Sequence, residues 1–261
     1  MKSSGPVRKL AAAPLLASVL ALSFVATSAR ADEEADAVLL RMEELLRSET
    51  NVATYTMTVI RPDARRVFRM RSWDDRAGDR SFIRILAPRR DSYTTFLRVE
   101  NNLWMYVPRL ERDIKIPPAM MLNSWMGSDI TNDDLVRESS ILKDYENRIV
   151  SREAGPSGVV LVTIESIPHA DAPVVWGRLV STIRSDGVPV RQEFYDEDET
   201  LVRTISFEET AQLGDRTLPV WWVVTDETRQ GYRTVLEIEE MTFDEPIPDG
   251  VFTRANLSRR R

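Results

Sequence analysis

The spacing of apolar residues changes once along this chain and divides it into a helix and a long run of strands. Ala35, Val38, Leu39, Met42, Leu45 and Leu46 recur at intervals of three and four, the period of one helix face. Asp32, Glu33 and Glu34 precede them and suit the positive end of a helix dipole. These residues predict a helix over 35–47 whose single apolar stripe must lie on something. From residue 52 the apolar period is two, and β-branched and aromatic residues dominate. That predicts strands over 52–61, 65–73, 81–86, 95–99, 103–107 and 110–116. In the second of these, Arg69 and Arg71 share a face with Val67 and Trp73. A further series covers 144–152, 159–166, 174–184, 189–195, 201–208, 220–228 and 234–243. Pro62-Asp63, Asn101-Asn102, Ser185-Asp186-Gly187 and Gly214-Asp215 mark turns. Between the two series, Thr131 with Asp134 three residues on opens a short helix over 132–139, in the manner of a capping box. Successive strands joined by tight turns predict an antiparallel meander: one curved sheet or barrel with helices on one side.

The first 31 residues stand apart from this pattern. Lys2, Arg8 and Lys9 precede an apolar run from 10 to 25, and Ala29-Arg30-Ala31 forms a small-x-small site. That is the layout of a cleaved secretory signal peptide, and the run is short for a membrane span. The expected mature chain, 32–261, is one domain that begins near Asp32. No later apolar run is long enough to span a bilayer.

Charge and cysteine content narrow the class. The leader carries four basic residues and no acidic one, so its removal takes the net charge from −6 to −10. An acidic chain lacks the basic footprint for nucleic acid and is a poor partner for anionic lipid surfaces. There is no cysteine, hence no disulfide, no thiolate metal site and no lipidated cysteine after the leader. A soluble periplasmic protein is the expectation.

One stretch, 93–140, crowds apolar side chains among charges. Trp104, Tyr106, Met120, Met121, Trp125 and Met126 fall here, with Pro117-Pro118 in the middle. Aromatic residues and Met are usually core. Met also suits surfaces that adapt to variable apolar partners, and the double proline breaks any regular period. Core packing and a lipid-binding lining are both open for these six. The same stretch holds Asp129, Asp133, Asp134 and Glu138. They suit a helix N-terminus better than acid–base catalysis, and the calcium-loop pattern is absent. His169, the only histidine, stands near Asp171 with no nucleophile motif to serve. Trp221-Trp222 places adjacent indoles on opposite faces of a strand, one of them inward. No catalytic residue, metal site or cofactor is expected.

The segments NNLWMYVPRLERDIKIPP, SWMGSDITNDDLVRESS and FDEPIPDGVF resemble the LolA-like outer-membrane lipoprotein-sorting proteins. The resemblance extends over most of the chain beyond the leader. It implies a mainly β, α+β fold: a half-open antiparallel β-barrel of about ten or eleven strands, with the N-terminal helix and a small central helix as lid. It also implies a non-enzymatic chaperone that binds acylated lipoproteins or related lipids by their acyl chains. Cargo would come from an inner-membrane transporter and go to an outer-membrane acceptor. In the chaperone that gives the family its name, an arginine on an early strand helps hold the lid; Arg61, Arg69 and Arg71 are the candidates here. Physical chemistry fits such a role. Burying an acyl chain is worth about 0.8 kcal/mol per methylene, on the order of 12 kcal/mol for a palmitoyl tail, so a tail does not cross water unshielded. Two other readings are a lipid-sensing adaptor of the envelope-stress type and a carboxylate hydrolase built on the four acidic residues.

Overall fold

The structure, a computed structural model, describes residues 19–136 and 141–259. Residues 1–18, with the basic start of the leader, lie outside the described residues, as do 137–140, with Glu138 and the end of the predicted 132–139 helix. The first element is α1 (Val19–Leu46), which contains the predicted stripe. Six strands follow: β1 (Thr50–Arg61), β2 (Ala64–Asp75), β3 (Arg80–Ala87), β4 (Thr95–Val99), β5 (Asn102–Val107) and β6 (Arg112–Lys115). The chain then leaves the sheet through two short helices, α2 (Asn132–Val136) and α3 (Ile141–Asp144). It returns as β7 (Tyr145–Ala154), β8 (Val160–Pro168), β9 (Arg178–Arg184), β10 (Pro189–Tyr195), β11 (Leu201–Leu213), β12 (Arg216–Asp226) and β13 (Arg233–Phe243).

The spatial order is β6-β5-β4-β3-β2-β1-β13-β12-β11-β10-β9-β8-β7, one open sheet. Two antiparallel meanders meet in the middle, where β1 pairs with β13. The 116–144 connection therefore runs from one edge of the sheet to the other. The open, mainly β architecture is as expected, but it has thirteen strands where about ten or eleven were expected. Each of the thirteen strand-like segments is used, including the four-residue β6. One turn also differs. The β4–β5 hairpin turns at Glu100–Asn101, with the positive φ (52°) on Glu100 and Asn102 already in β5.

Alternation explains the layers. On β2, Phe68 and Met70 are buried while Val67, Arg69 and Arg71 are exposed. The inner face carries two apolar clusters. Met57, Val59, Phe68, Met70, Ile83 and Ile85 belong to the first, which lies under the 116–135 segment. Val162, Ile164, Leu179, Ile183 and Phe194 belong to the second, which lies under Ala35, Val38 and Leu39 of α1. α1 is tied down at its C-terminal end, where Arg216 Nη1 donates to the carbonyls of Glu44 (2.9 Å) and Arg47 (2.8 Å). On the outer face, Phe82, Leu97 and Tyr106 are covered by Phe252 and Leu257 of a C-terminal turn and of α4 (Arg254–Leu257).

Candidate functional site

The 116–135 segment is a lid held mainly by side chains. It contains two single-turn helices, Pro118–Met120 and Trp125–Gly127, and a lone bridge between Ser124 and Thr131. Trp125 is its plug. The indole is 2% exposed and meets Phe96 edge-on, with centroids 5.3 Å apart. Its Nε1 has no hydrogen-bond partner among the described residues. Gly127 has φ +72°, and a Cβ there would collide with the Arg66 guanidinium.

Three arginines of the sheet fasten the lid. Arg61 at the end of β1 donates to Gly127 O (2.6 Å) and pairs with Asp129 (2.9 Å). The Asp129 side chain is 2% exposed; its carboxylate also accepts from Thr234 Oγ1 (2.7 Å) and lies 3.9 Å from Arg229, and the Asp129 N–H donates back to the Thr234 hydroxyl (3.0 Å). Arg66 donates to Met126 O (2.9 Å). Arg203 on β11 grips Asp134 through both terminal nitrogens (2.7 and 3.1 Å) and lies over the rings of Phe194 (4.2 Å) and Trp176 (4.8 Å). Asp134 closes the predicted capping box by accepting from Thr131 N (2.7 Å). Burial pushes the Asp134 carboxyl up, but the charge and hydrogen bonds of Arg203, with those of Thr131, outweigh it and leave the group below its ordinary value.

Between the lid, α1 and the floor of β9–β13 lies a cavity of about 440 Å³. Met42 and Leu46 of α1 form one wall, and Ile130 of the lid another. Ile205, Phe207, Trp222, Val224 and Leu236 form the floor. Phe207 and Trp222 meet edge-on at 5.1 Å, and Trp222 Nε1 is satisfied by Pro219 O (2.8 Å), so both rings present apolar surface. Of the two adjacent indoles, Trp222 is the inward one. A volume of this size lies within the range of small-ligand sites. At the cavity edge, burial and then the Asp144 charge push the Tyr145 phenol up to about 12, so it is neutral at ordinary pH.

The six apolar residues singled out from sequence separate into three groups, and none lines this cavity. Trp104 and Tyr106 belong to the outer face, packed with Phe82, Leu97 and the C-terminal turn. Trp125, Met121 and Met126 close the lid over the first inner cluster. Met120 is 44% exposed on top of the lid. The double proline carries the lid away from the β6 edge, and strand parity sends alternate residues of β5 to opposite faces. Of the three candidate lid arginines, Arg61 does hold the lid. Arg69 instead pairs with Glu239 (2.7 Å), and Arg71 lies over Trp73 (5.3 Å). Arg66 and Arg203 were not singled out, although each is a cation beside apolar neighbours on the inward parity of its strand (Arg66, Phe68, Met70; Arg203, Ile205, Phe207). That misfit was the available signal.

Asp129 and Asp134 are engaged by arginines, Asp133 is buried, and Glu138 is outside the described residues. His169 N donates to Asp144 O (2.9 Å) in the loop after β8. Among the described residues no group of three or more His, Cys, Asp or Glu is placed to hold a metal. Among them, too, no helix is long and apolar enough to cross a membrane.

An open antiparallel sheet with a helix and a lid over an apolar hollow defines a LolA-like fold, and solved structures agree. A DUF1329 family protein from Desulfovibrio piger superposes with a TM-score of 0.76 at 19% identity, covering 87% of this chain and 99% of that one. A putative outer membrane lipoprotein-sorting protein domain from Vibrio parahaemolyticus gives 0.74 at 22% identity, covering 87% and 100%. A LolA superfamily protein from Nitrosomonas europaea gives 0.69 at 19%, covering 85% and 98%. A family model described as "Uncharacterized protein" matches residues 77–259, and the chain belongs to that family. No curated protein matches it.

Proposed function

We propose that this protein is a non-covalent periplasmic carrier of acylated lipoproteins or related lipids, exported by a cleaved leader over residues 1–31. It shields an acyl chain between α1, the lid and the β9–β13 floor, receiving cargo from an inner-membrane transporter and passing it to an outer-membrane acceptor. The observation that carries this reading is the roughly 440 Å³ hollow, whose floor is mainly aliphatic and aromatic, with Gln192 and Arg203 as its polar members, and whose cover is fastened by side-chain ion pairs. Such a cover opens without breaking any of the sheet's ladders. The likeness to the putative lipoprotein-sorting domain of Vibrio parahaemolyticus adds support.

The test is lipid extraction and native mass spectrometry of protein recovered from its own cells, together with titration by the neutral apolar dye N-phenyl-1-naphthylamine. Retained acylated molecules and dye binding are expected. Val224→Trp, which fills the floor, should abolish dye binding while the circular dichroism spectrum stays unchanged. Protein that holds no acylated molecule and binds no dye refutes the carrier.

A further inference from the structure

A polar row crosses the inner face of the first meander. Read across four strands by direct pairing, Asn51 faces Asp74, Asp74 faces Ser81, and Ser81 faces Arg98. The row beside it, Ala53, Ser72, Ile83, Phe96 and Met105, is apolar except for Ser72. A side chain with a full charge on a covered face is disfavoured unless it is held. Arg98 is held: its side chain is almost wholly buried, hydrogen-bonded to Asp79 and 3.9 Å from Asp74.

This row forms the floor of a second cavity of about 280 Å³, rimmed by Arg47 at the end of α1 and by Asp134 and Leu135 of the lid. Arg47 and Asp134 also border the larger apolar cavity, so the two hollows share a wall. An apolar chamber that abuts a polar one fits an amphiphile. The charges lining the polar chamber balance, with Arg47 and Arg98 against Asp74 and Asp134. Its other polar side chains, Asn51, Ser72 and Ser81, supply an amide and two hydroxyls. A charged head therefore meets no net field of opposite sign, and to pair with Arg98 or Asp134 it would have to displace Asp79 or Asp74 from the one, or Arg203 from the other. An uncharged head that both donates and accepts hydrogen bonds disturbs none of these pairs.

Building on the carrier reading, we infer that the polar row is a headgroup subsite, and that the preferred cargo joins its acyl tail to a neutral hydroxyl-bearing head, such as a glyceryl ester. The experiment displaces bound N-phenyl-1-naphthylamine with three amphiphiles below their micelle concentrations: 1-monolauroylglycerol, laurate and dodecyltrimethylammonium. The monoglyceride should bind about tenfold more tightly than either ion, the effect of one or two net hydrogen bonds. Ser81→Leu, which fills the subsite with hydrocarbon, should erase that preference and leave dye affinity unchanged. Ser81→Ala, a change too small to threaten folding, should reduce it severalfold. Equal affinities for the three heads, or a preference for either ion, overturn the subsite while leaving the carrier intact. Failure of the dye to bind at all refutes the carrier, and the subsite with it.

Discussion

At the scale of single residues, the lid depends on two ion pairs of different character. The Asp129 carboxylate is buried and shared between Arg61 and Thr234. Arg61→Ala leaves that charge only the Thr234 hydroxyl and Arg229 at 3.9 Å, and breaking a buried pair from one side costs about 3 kcal/mol. Urea unfolding should register a loss of that order, with hydrogen exchange rising first over residues 126–130. The Asp134–Arg203 pair is more accessible and titrates. Because the folded carboxyl lies below its ordinary value, its contribution is complete above the unfolded value of about 4 and disappears as pH falls through the lower folded value. Wild type should therefore be more stable than Asp134→Asn at neutral pH, and the gap should close below about pH 4. A gap that is constant across this range would show that the pair adds nothing.

At the scale of elements, the lid and α1 are attached by different physics. α1 is fixed by burial: Leu39 is 0% exposed and packs with Val38 against the second cluster. Leu39→Ala should cost about 2–5 kcal/mol, as large-to-small core changes do, and lower the melting temperature accordingly. The lid buries one large ring and leaves that ring's donor unpaired. Trp125→Phe keeps most of the contact with Phe96 and removes the orphan N–H. It should change stability by about 1 kcal/mol or less, whereas Trp125→Ala should cost about 3–5 kcal/mol. Equal losses for the two variants would mean that the indole itself, and not the packing of an aromatic ring against Phe96, fixes the plug. Thirteen strand segments were legible because alternation and turn residues are local signals. The turn at Glu100 was not, because either of two registers satisfies the same hydrophobic pattern.

At the scale of the molecule, two meanders fastened at β1–β13 form a stable floor, and the connection between their far edges becomes the cover. This separates what must stay folded from what must move. The double variant Arg61→Ala, Arg203→Ala removes one charged fastening of the cover from each meander and leaves the hydrogen bonds of Arg66 and Thr234. Dye dissociation measured by stopped flow should accelerate at least tenfold, since each 1.4 kcal/mol taken from the closed state is a factor of ten, while far-ultraviolet circular dichroism should stay that of the folded sheet. Unaltered dissociation would place the gate elsewhere than the lid.

The sequence by itself determined the helix stripe, the strands, most of the turns, the Thr131–Asp134 cap and the presence of a Trp- and Met-rich cover, because each is set by periods of two to four residues. Only the tertiary structure decided which apolar residues face the hollow. Phe207 and Trp222 come from β11 and β12, Met42 and Leu46 from α1, and their meeting depends on the order of strands in the sheet, which no local period encodes. The same holds for the lid's fastenings and for the polar row: Arg61 reaches across 68 positions to Asp129, and Asn51, Asp74, Ser81 and Arg98 become neighbours only once four strands are in register.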